Sequence, residues 1–303
     1  MANVLQGKVV IVTGAGRGVG AEIAKLAARE GASVVVNDLG GDERGEGGDL
    51  GPAQQVVQEI KRAGGEATAN GANVASWDGA HELVAAAIKT YGDLDAVINN
   101  AGILRDGIFH KMSEAEWDAV VAVNLKGCFN VARAAAPHFK EKQKGSFVHM
   151  TSTSGLVGNF GQVNYGAAKL GVVGLSKCIA LDMAKFGVRS NCIAPFAWTR
   201  LVGTIPATPE NAARLEAAKR MTPDKIAPFA VALCSDGSKD VTGQIFGVRR
   251  NEIFLFSQPR PIRSVHTAEG WTPESCLTQA LPALKASFFK LDRSADVFSW
   301  DPI

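Results

Sequence analysis

The chain has 303 residues, with 32 Lys and Arg side chains against 30 Asp and Glu, and its mean hydropathy is +0.05. Such a balance produces no overall field that would recruit nucleic acid or a membrane surface, so neither is expected as a partner. The length allows one α/β domain with an appendage.

The spacing of the cysteines and histidines argues against disulfide bonds and against a metal site. The five cysteines are widely spaced without a CxxC pair, and the five histidines show no ligand spacing, so we expect reduced thiols and no metal site. The sequence has neither a signal-like start nor an apolar run of ~18 residues. Its last residues, 301–303, are no peroxisomal address, and a cytoplasmic location is the expectation.

The chain begins with a predicted strand, a glycine turn and a helix. Residues 8–13 are a β-branched run, Gly14-Ala-Gly-Arg-Gly-Val-Gly20 is the turn, and residues 21–29 have helical composition. Glycines there let the backbone lie against a pyrophosphate at the helix N-terminus. A second predicted strand ends in Asp38, 18 residues beyond Gly20, where an acid binds the ribose hydroxyls. This carboxylate favours NAD over NADP, whereas Arg17 mildly favours NADP.

The next segments continue the alternation of strands and helices. Residues 40–51 hold six glycines among acidic side chains and predict a mobile surface loop near the adenosine, before a helix over 52–63. Residues 66–74 predict a third strand that places Asn73 and Val74 beside the adenine, and residues 80–91 predict a helix. Three such units predict a doubly wound parallel sheet.

A fourth strand is predicted to end in Asn99-Asn-Ala-Gly102, small and amide residues that allow close contact with a dinucleotide. Ser113 and Glu116 then form a capping box for a helix that continues past Gly127 to residue 136. Asn124 is unusual within that helix. It indicates a bend or a buried hydrogen-bonding role, and by itself it is interpreted as a satisfied core polar group.

Residues 146–151 predict a buried strand, which places Ser152 at a carboxyl end, where open α/β sheets bind ligands. Tyr165 and Lys169 are four residues apart, so on a helix they share one face about 5 to 6 Å apart. A fixed positive charge within ~4 to 6 Å favours a phenolate. The pair is therefore typical of acid-base chemistry, although the spacing alone also fits a surface Tyr and a solvated Lys.

Together these motifs, with twelve residues between Ser152 and Tyr165, resemble the short-chain dehydrogenase/reductase family over residues 5–247. The resemblance implies a serine that binds the substrate oxygen, a tyrosine acid-base, a lysine on the nicotinamide ribose and an asparagine that anchors a water. Ser154 competes with Ser152 for the first role. The implied catalytic residues are Asn124, Ser152, Tyr165 and Lys169. The implied NAD-binding residues are Gly14, Arg17, Gly18, Val19, Gly20, Asp38, Asn73, Val74, Asn100, Ala101, Gly102, Tyr165, Lys169, Pro195 and Thr199.

A narrower resemblance lies in the segment from Val36 with its glycine-rich continuation, in residues 100–106 and in Gly158-Asn-Phe-Gly-Gln162. These are similar to the dehydrogenase domains of peroxisomal multifunctional enzymes type 2 and their bacterial single-domain relatives. The implied reaction is oxidation of a 3-hydroxyacyl-CoA with NAD, by a homodimer or homotetramer. A 17β-hydroxysteroid is the alternative substrate, a 3-oxoacyl reductase on NADPH is a third option, and a non-catalytic NAD-binding scaffold is the rival class.

The resemblance ends at residue 247, and we predict a dehydrogenase domain over 1–250 and an extension over 251–303 that packs on the core or on a neighbouring subunit. Cap residues before prolines predict helices over 209–220, the substrate lid, and over 223–233. The basic excess after residue 199 indicates either binding of CoA phosphates or solvated surface. The residues concerned are Arg200, Lys219, Arg220, Arg249 and Arg250.

Overall fold

The computed structural model describes residues 3–42, 44–198, 216 and 218–302. Across these residues runs an eight-stranded sheet with the order β3-β2-β1-β4-β5-β6-β7-β8. Strands β1 to β7 are parallel, and β8 is antiparallel to β7. The predicted doubly wound parallel sheet is confirmed. The strands are β1 (Val9–Thr13), β2 (Ser33–Asn37), β3 (Glu66–Asn70), β4 (Ala96–Asn99), β5 (Gly145–Met150), β6 (Val188–Phe196), β7 (Ile245–Arg249) and β8 (Glu252–Leu255).

Helices cover both faces of the sheet. In chain order they are α1 (Gly18–Arg29), α2 (Gly51–Arg62), α3 (Trp77–Tyr91), α4 (Glu114–Val121), α5 (Gly127–Lys142), α6 (Thr153–Leu156), α7 (Val163–Asp182), α8 (Ala227–Cys234), α9 (Pro273–Ser275), α10 (Leu281–Lys285) and α11 (Ser294–Val297). Two π-helical segments, Ala122–Lys126 and Cys276–Ala280, join α4 to α5 and α9 to α10. Short 3-10 turns lie at Phe109–Lys111, Ala184–Phe186, Pro223–Lys225 and Asp236–Ser238. The described helices include none that is both long and apolar enough to cross a membrane.

The core consists of two apolar layers, one on each face of the sheet. Helices α1, α2 and α8 bury Ala and branched aliphatic side chains against one face. Helices α3, α5 and α7 cover the other face. Strands buried on both sides read as continuous apolar runs, which explains why β1 (VVIVT) and β2 (SVVVN) were recognisable in the sequence.

The third strand is shorter than predicted, because it ends at Asn70 and not at Val74. The Asn70 side-chain oxygen accepts hydrogen bonds from the amide of Ala72 (2.9 Å) and from Nδ2 of Asn37 (3.0 Å). Such a side-chain-to-backbone bond two residues on turns the chain out of the ladder. Asn73 and Val74 therefore lie in the loop beyond the strand.

The chain beyond residue 250 includes the last strand of the sheet and an aromatic cluster. Phe298, next to α11, packs against Phe196 of β6 (ring centroids 4.7 Å apart), Phe254 of β8 (5.3 Å) and Trp300 (5.7 Å). Other apolar side chains of this region face outward: Phe289 is 88% exposed. The predicted division at residue 250 falls in the turn between β7 and β8, and it stays a prediction.

Candidate active site

A cleft of about 560 Å³ opens at the carboxyl ends of the central strands. The strand order reverses between β1 and β4, so the loops that follow these two strands diverge and leave a crevice. Most of the residues predicted from sequence line it: Gly14, Arg17, Gly18, Val19, Asp38, Asn73, Val74, Asn100, Ala101, Gly102, Asn124, Ser152, Tyr165, Lys169 and Pro195. Thr199 lies outside the described residues, as do Arg200 and most of the predicted lid helix.

The glycine turn after β1 is packed too tightly for larger residues. Gly14 has φ +62°, and a Cβ there would lie 2.7 Å from the Cα of Ala101. A Cβ on Gly20 would lie 2.3 Å from the carbonyl oxygen of Gly14. Gly20 does not line the cleft. Its lack of a side chain lets α1 pack closely beneath the turn. The exposed backbone of the turn fits a bound diphosphate.

The Asp38 carboxylate is fixed at the end of β2 by two backbone amides. Gly16 N–H donates to Oδ2 at 2.8 Å and Gly40 N–H donates to Oδ1 at 2.7 Å. Each carboxylate oxygen keeps a further lone pair, so Asp38 can still accept from a pair of hydroxyls in the cleft. Arg17 is exposed nearby and reaches the carbonyl of Gly41 at 3.5 Å.

The loop after β4 is tied to the turn after β1. The Asn100 side chain donates to the carbonyls of Thr13 (3.0 Å) and Gly14 (2.9 Å), and Thr13 Oγ1 accepts from the amides of Asn100 and Ala101. The Asn100 amide group is therefore engaged with the protein backbone. Its contribution to the cleft is to hold the glycine turn and residues 101–102 side by side.

Asn124 lies in the π-helical segment between α4 and α5 and is fully buried. Its Nδ2 donates to the carbonyls of Ile103 (3.0 Å) and Val120 (3.1 Å), while its Oδ1 has no hydrogen-bond partner among the described residues. The interpretation of Asn124 as a satisfied polar group is thus only half correct. A buried unpaired oxygen costs about 1 to 3 kcal/mol, so a water or a ligand group is expected to donate to it. A Cβ on Gly102 would lie 2.5 Å from this oxygen.

Tyr165 and Lys169 lie one turn apart on α7. Lys169 is 3% exposed, and its Nζ lies 5.6 Å from the centre of the Tyr165 ring. Nζ donates to the carbonyl of Met150 at 2.8 Å, which leaves N–H donors for a ligand in the cleft. The preceding Asn164 is buried and links the Tyr165 amide (2.7 Å) to the carbonyls of Arg105 and Glu116. The surrounding elements therefore determine the position of the tyrosine backbone.

His149, at the end of β5, is buried behind the lysine. Its Nδ1 lies 3.1 Å from Nδ2 of Asn99, so Nδ1 acts as the acceptor. Burial, and secondarily the charge of Lys169, lowers the pKa of His149 to about 4. The imidazole is therefore neutral near pH 7.

Ser152 and Ser154 differ in how far their hydroxyls are already engaged. Ser154 Oγ donates to Oε1 of Gln162 (2.7 Å) and accepts from Nδ2 of Asn159 (2.9 Å). Ser152 Oγ accepts from the Ser154 amide (3.1 Å) and donates to Ser154 Oγ (3.2 Å), a long contact. Ser152 has more capacity left for a ligand, which supports the preference for Ser152 that the twelve-residue spacing gave.

Several cleft residues were not recognised from sequence. Asp106, Asn159 and Gln162 line the end of the cleft beside Ser152 and Tyr165. Gln162 Nε2 donates to Oδ2 of Asp106 at 2.8 Å. The two loops that carry them are also joined through the backbone, since the Gly107 amide donates to the Gly161 carbonyl at 2.9 Å. Their segments carry the narrower family resemblance, but no spacing rule connects positions 106 and 162.

The glycine-rich loop between β2 and α2 reaches across the cleft to the loop after β4. Arg105 Nε donates to the carbonyl of Arg44 at 2.8 Å, and its guanidinium lies 3.2 Å from the Glu46 carboxylate. Leu39, Asp42 and Gly45 of this loop line the cleft. The predicted mobility of the loop stays a prediction, and the structure adds Arg105 as the side chain that holds it over the cleft.

The expectation that Arg249 meets a phosphate is wrong. Arg249 is 3% exposed, its Nε donates to Glu252 (2.7 Å), and its guanidinium lies 4.7 Å from the centre of the Trp300 ring. Arg250 donates to the carbonyl of Pro302 at 2.9 Å. Both side chains hold the C-terminal segment. Lys219 and Arg220 are exposed and stay candidates for a phosphate.

Comparison with known proteins gives a consistent result. The short chain dehydrogenase family model matches residues 8–204. The peroxisomal multifunctional enzyme type 2 of Mus musculus is 43% identical over 242 residues, 80% of this chain, which spans 31% of that enzyme. A short chain dehydrogenase structure from Mycobacterium avium has a TM-score of 0.83 and 40% identity, covering 95% of this chain and 97% of its own. A 7α-hydroxysteroid dehydrogenase complexed with NADH and 7-oxo glycochenodeoxycholic acid has a TM-score of 0.74 and 30% identity, covering 82% and 96%.

Proposed function

The chain belongs to the short-chain dehydrogenase family, and on that premise we propose that this oxidoreductase oxidises a 3-hydroxyacyl-CoA to the 3-oxoacyl-CoA with NAD. The observation that carries the proposal is the buried Lys169 beside Tyr165, in the same cleft as the glycine turn and Asp38. A non-catalytic NAD-binding scaffold would use Lys169 for the ribose alone. The tyrosine and the serine in the same cleft are what favour an enzyme over that scaffold.

The residues of the cleft fit a nicotinamide dinucleotide. The turn at Gly14 has no room for a side chain, Gly14 and Gly18 line the cleft, and Asp38 offers paired acceptors for ribose hydroxyls. The unpaired Oδ1 of Asn124 and the remaining donors of Lys169 offer polar contacts at the other end. NAD bound here would supply the hydride acceptor, C4 of its nicotinamide ring.

The side chains supply the proton chemistry. In the oxidation, Tyr165 Oη takes the proton of the substrate hydroxyl, with Lys169 Nζ 5.6 Å from the centre of its ring. Ser152 Oγ donates to the substrate oxygen and fixes its position against the tyrosine. Lys169 holds the ribose hydroxyls with its remaining donors, and Asn124 Oδ1 accepts from a water that connects Lys169 to solvent.

The choice of a CoA thioester rests on the resemblance to the multifunctional enzymes. The similarity to a 7α-hydroxysteroid dehydrogenase favours a hydroxysteroid as the second candidate, and the sequence resemblance implies the 17β-hydroxyl. The two candidates differ in charge, since the phosphates of CoA are anionic and a simple 17β-hydroxysteroid carries no ionised group. With Arg249 and Arg250 engaged by the C-terminal segment, Lys219 and Arg220 are the described members of the basic set that stay exposed. We propose that this pair contacts the CoA phosphates and that the working unit is a homodimer or homotetramer.

The test is an assay of NADH formation on three substrates: a (3R)-3-hydroxyacyl-CoA, the same acyl group on a short uncharged thioester, and a 17β-hydroxysteroid. We expect the CoA thioester to give the highest kcat/KM. Raising ionic strength from 0.1 to 1 M shortens the Debye length from ~10 to ~3 Å, so KM should rise for the CoA thioester and stay nearly constant for the short thioester.

The variant Lys219→Ala/Arg220→Ala should reproduce part of this rise, whereas Lys239→Ala, at an exposed lysine that is not a candidate for the phosphates, serves as the control. Turnover of the steroid alone would refute the acyl-CoA assignment. NADH binding without turnover of any of the three alcohols would refute the proposed reaction.

A further inference from the structure

A chain of hydrogen bonds leads from the mouth of the cleft to the Ser152 hydroxyl. Asp106 Oδ2 accepts from Gln162 Nε2 (2.8 Å), Gln162 Oε1 accepts from Ser154 Oγ (2.7 Å), and Ser154 Oγ accepts from Ser152 Oγ (3.2 Å). Asp106 is exposed and the other three side chains are partly buried. Burial raises the pKa of the Asp106 carboxyl above its ordinary value, and the hydrogen bond from Gln162 opposes this shift. The chain therefore connects the Asp106 carboxylate with the hydroxyl assigned to the substrate oxygen.

The chemistry of the groups gives this chain one direction. An ionised carboxylate only accepts hydrogen bonds, so the Gln162 amide must present its Nε2 to Asp106. Its Oε1 then faces Ser154 and takes the Ser154 proton. Asn159 supports the same orientation, because its Nδ2 lies 2.9 Å from Ser154 Oγ and 3.4 Å from Gln162 Oε1. A reversed Gln162 amide would bring two NH₂ groups together.

The direction matters because Ser152 and Ser154 are neighbours with equivalent hydroxyls. With its proton committed to Gln162, Ser154 offers only lone pairs to the cleft, and the Ser152 proton is the one available to a substrate oxygen. When Ser152 turns to the substrate, Ser154 Oγ keeps the hydrogen bond from Asn159 and is not left unpaired. The rotation of the Ser152 side chain towards the substrate therefore costs little free energy.

We infer that Asp106 is a positioning residue that acts through Gln162 and Ser154 to make Ser152, and not Ser154, the hydroxyl that donates to the substrate oxygen. The backbone supports this role, since Gly107 and Gln162 form a parallel bridge that keeps the two side chains opposed. Without the carboxylate the Gln162 amide can reverse, the Ser154 proton can point at Ser152, and only part of the population has the productive arrangement.

This inference rests on the proposed function, and its test is a double-mutant cycle in the alcohol oxidation assay at pH 8, where exposed carboxyl groups are ionised. Asp106→Ala should lower kcat about 5-fold, as expected for one net hydrogen bond, with the dissociation constant of NADH unchanged in a fluorescence titration. Asp106→Asn keeps an acceptor for Gln162 but also offers an amide donor that tolerates the reversed Gln162, so its kcat should lie between those of Asp106→Ala and the wild type. Asp118→Ala removes an exposed carboxylate of α4 that does not line the cleft, and it serves as the matched control.

The decisive step is the same substitution in a Ser154→Ala background, where the connection to Ser152 is cut. Asp106→Ala should then change kcat by less than about 1.5-fold, because its effect passes through Ser154. Equal effects in both backgrounds, or no effect in either, would overturn the inference and would indicate, in the first case, that Asp106 contacts the substrate directly. A failure of the proposed function would be distinguishable from these outcomes, because the wild-type protein would then bind NADH but oxidise none of the alcohols.

Discussion

Cofactor choice is expected to depend on the charge of Asp38. A 2'-phosphate on the adenosine ribose would sit close to this carboxylate, which its two amide contacts keep from turning away. At ~4 Å, two unit charges repel by about 4 kcal/mol at an effective dielectric of ~20 and by about 1 kcal/mol in bulk water. Because Asp38 is half-buried, we expect about 2 kcal/mol, which corresponds to roughly a 30-fold preference for NAD over NADP.

The perturbation is Asp38→Asn, which removes the charge and keeps one acceptor for the backbone amides. The ratio of kcat/KM with NAD to kcat/KM with NADP should fall by about 30-fold, helped by the exposed Arg17, which would then attract the phosphate without opposition. The assay is formation of the reduced cofactor at a fixed, saturating alcohol concentration. It should be repeated at high salt, where screening reduces the wild-type preference.

Asp49→Asn is the matched control. Asp49 lies in the glycine-rich loop that follows Asp38. Its carboxylate also accepts a hydrogen bond from a backbone amide (Gly51 N–H, 2.8 Å), but it does not line the main cleft. Its substitution should leave the cofactor ratio within about 2-fold of wild type, as usual for a surface change. An unchanged ratio in Asp38→Asn, or equal use of both cofactors by the wild type, would refute the electrostatic argument.

Three further outcomes are expected. Tyr165→Phe should lower kcat by about 100- to 10,000-fold with an unchanged NADH dissociation constant, and retained turnover would place the base elsewhere. Burial lowers the pKa of His149 to about 4, so unfolding takes up a proton at mildly acidic pH. The contribution of His149 to the free energy of unfolding is fully present above pH ~6.5 and falls by about 3 kcal/mol towards pH 4. His149→Gln should therefore flatten this part of a Tm-against-pH curve, and parallel curves for the variant and the wild type would contradict the argument. Phe298→Ala should lower the free energy of unfolding in urea by about 2 kcal/mol, whereas Phe289→Ala, at an 88% exposed position, should change it by less than about 0.5 kcal/mol; equal losses would show that the aromatic cluster is not what holds the segment.

The elements that sequence reasoning placed correctly are those with strong local signals. Strands β1 and β2 are continuous β-branched runs, α4 begins at the predicted capping box of Ser113 and Glu116, and Pro223 begins a helical turn where predicted. These features depend on neighbours within a few residues. The spacings placed Tyr165 and Lys169 on one helix face and Ser152 at a strand end, whereas the catalytic roles of these residues came from the family resemblance and stay a prediction.

What could not be predicted depends on contacts between distant parts of the chain. Arg249 reads as a free cation in the sequence, yet it is buried because Glu252, Phe298 and Trp300 close over it. The bond between the Asn37 and Asn70 side chains, across two strands at the end of β3, also lacks a local signal. The partnership of Asp106 with Gln162 spans 56 positions. No pattern within a window of a few turns contains such pairs.

The adjacency of Arg105 and Asp106 has a consequence for how this protein can be altered. One side chain holds the glycine-rich loop over the cleft, and the next begins the chain of hydrogen bonds that reaches Ser152. A loop graft intended to switch the cofactor would therefore shift the same stretch of backbone that carries Asp106. Libraries aimed at cofactor preference should vary the glycine-rich loop and residues 105–106 together, with turnover followed alongside the cofactor ratio.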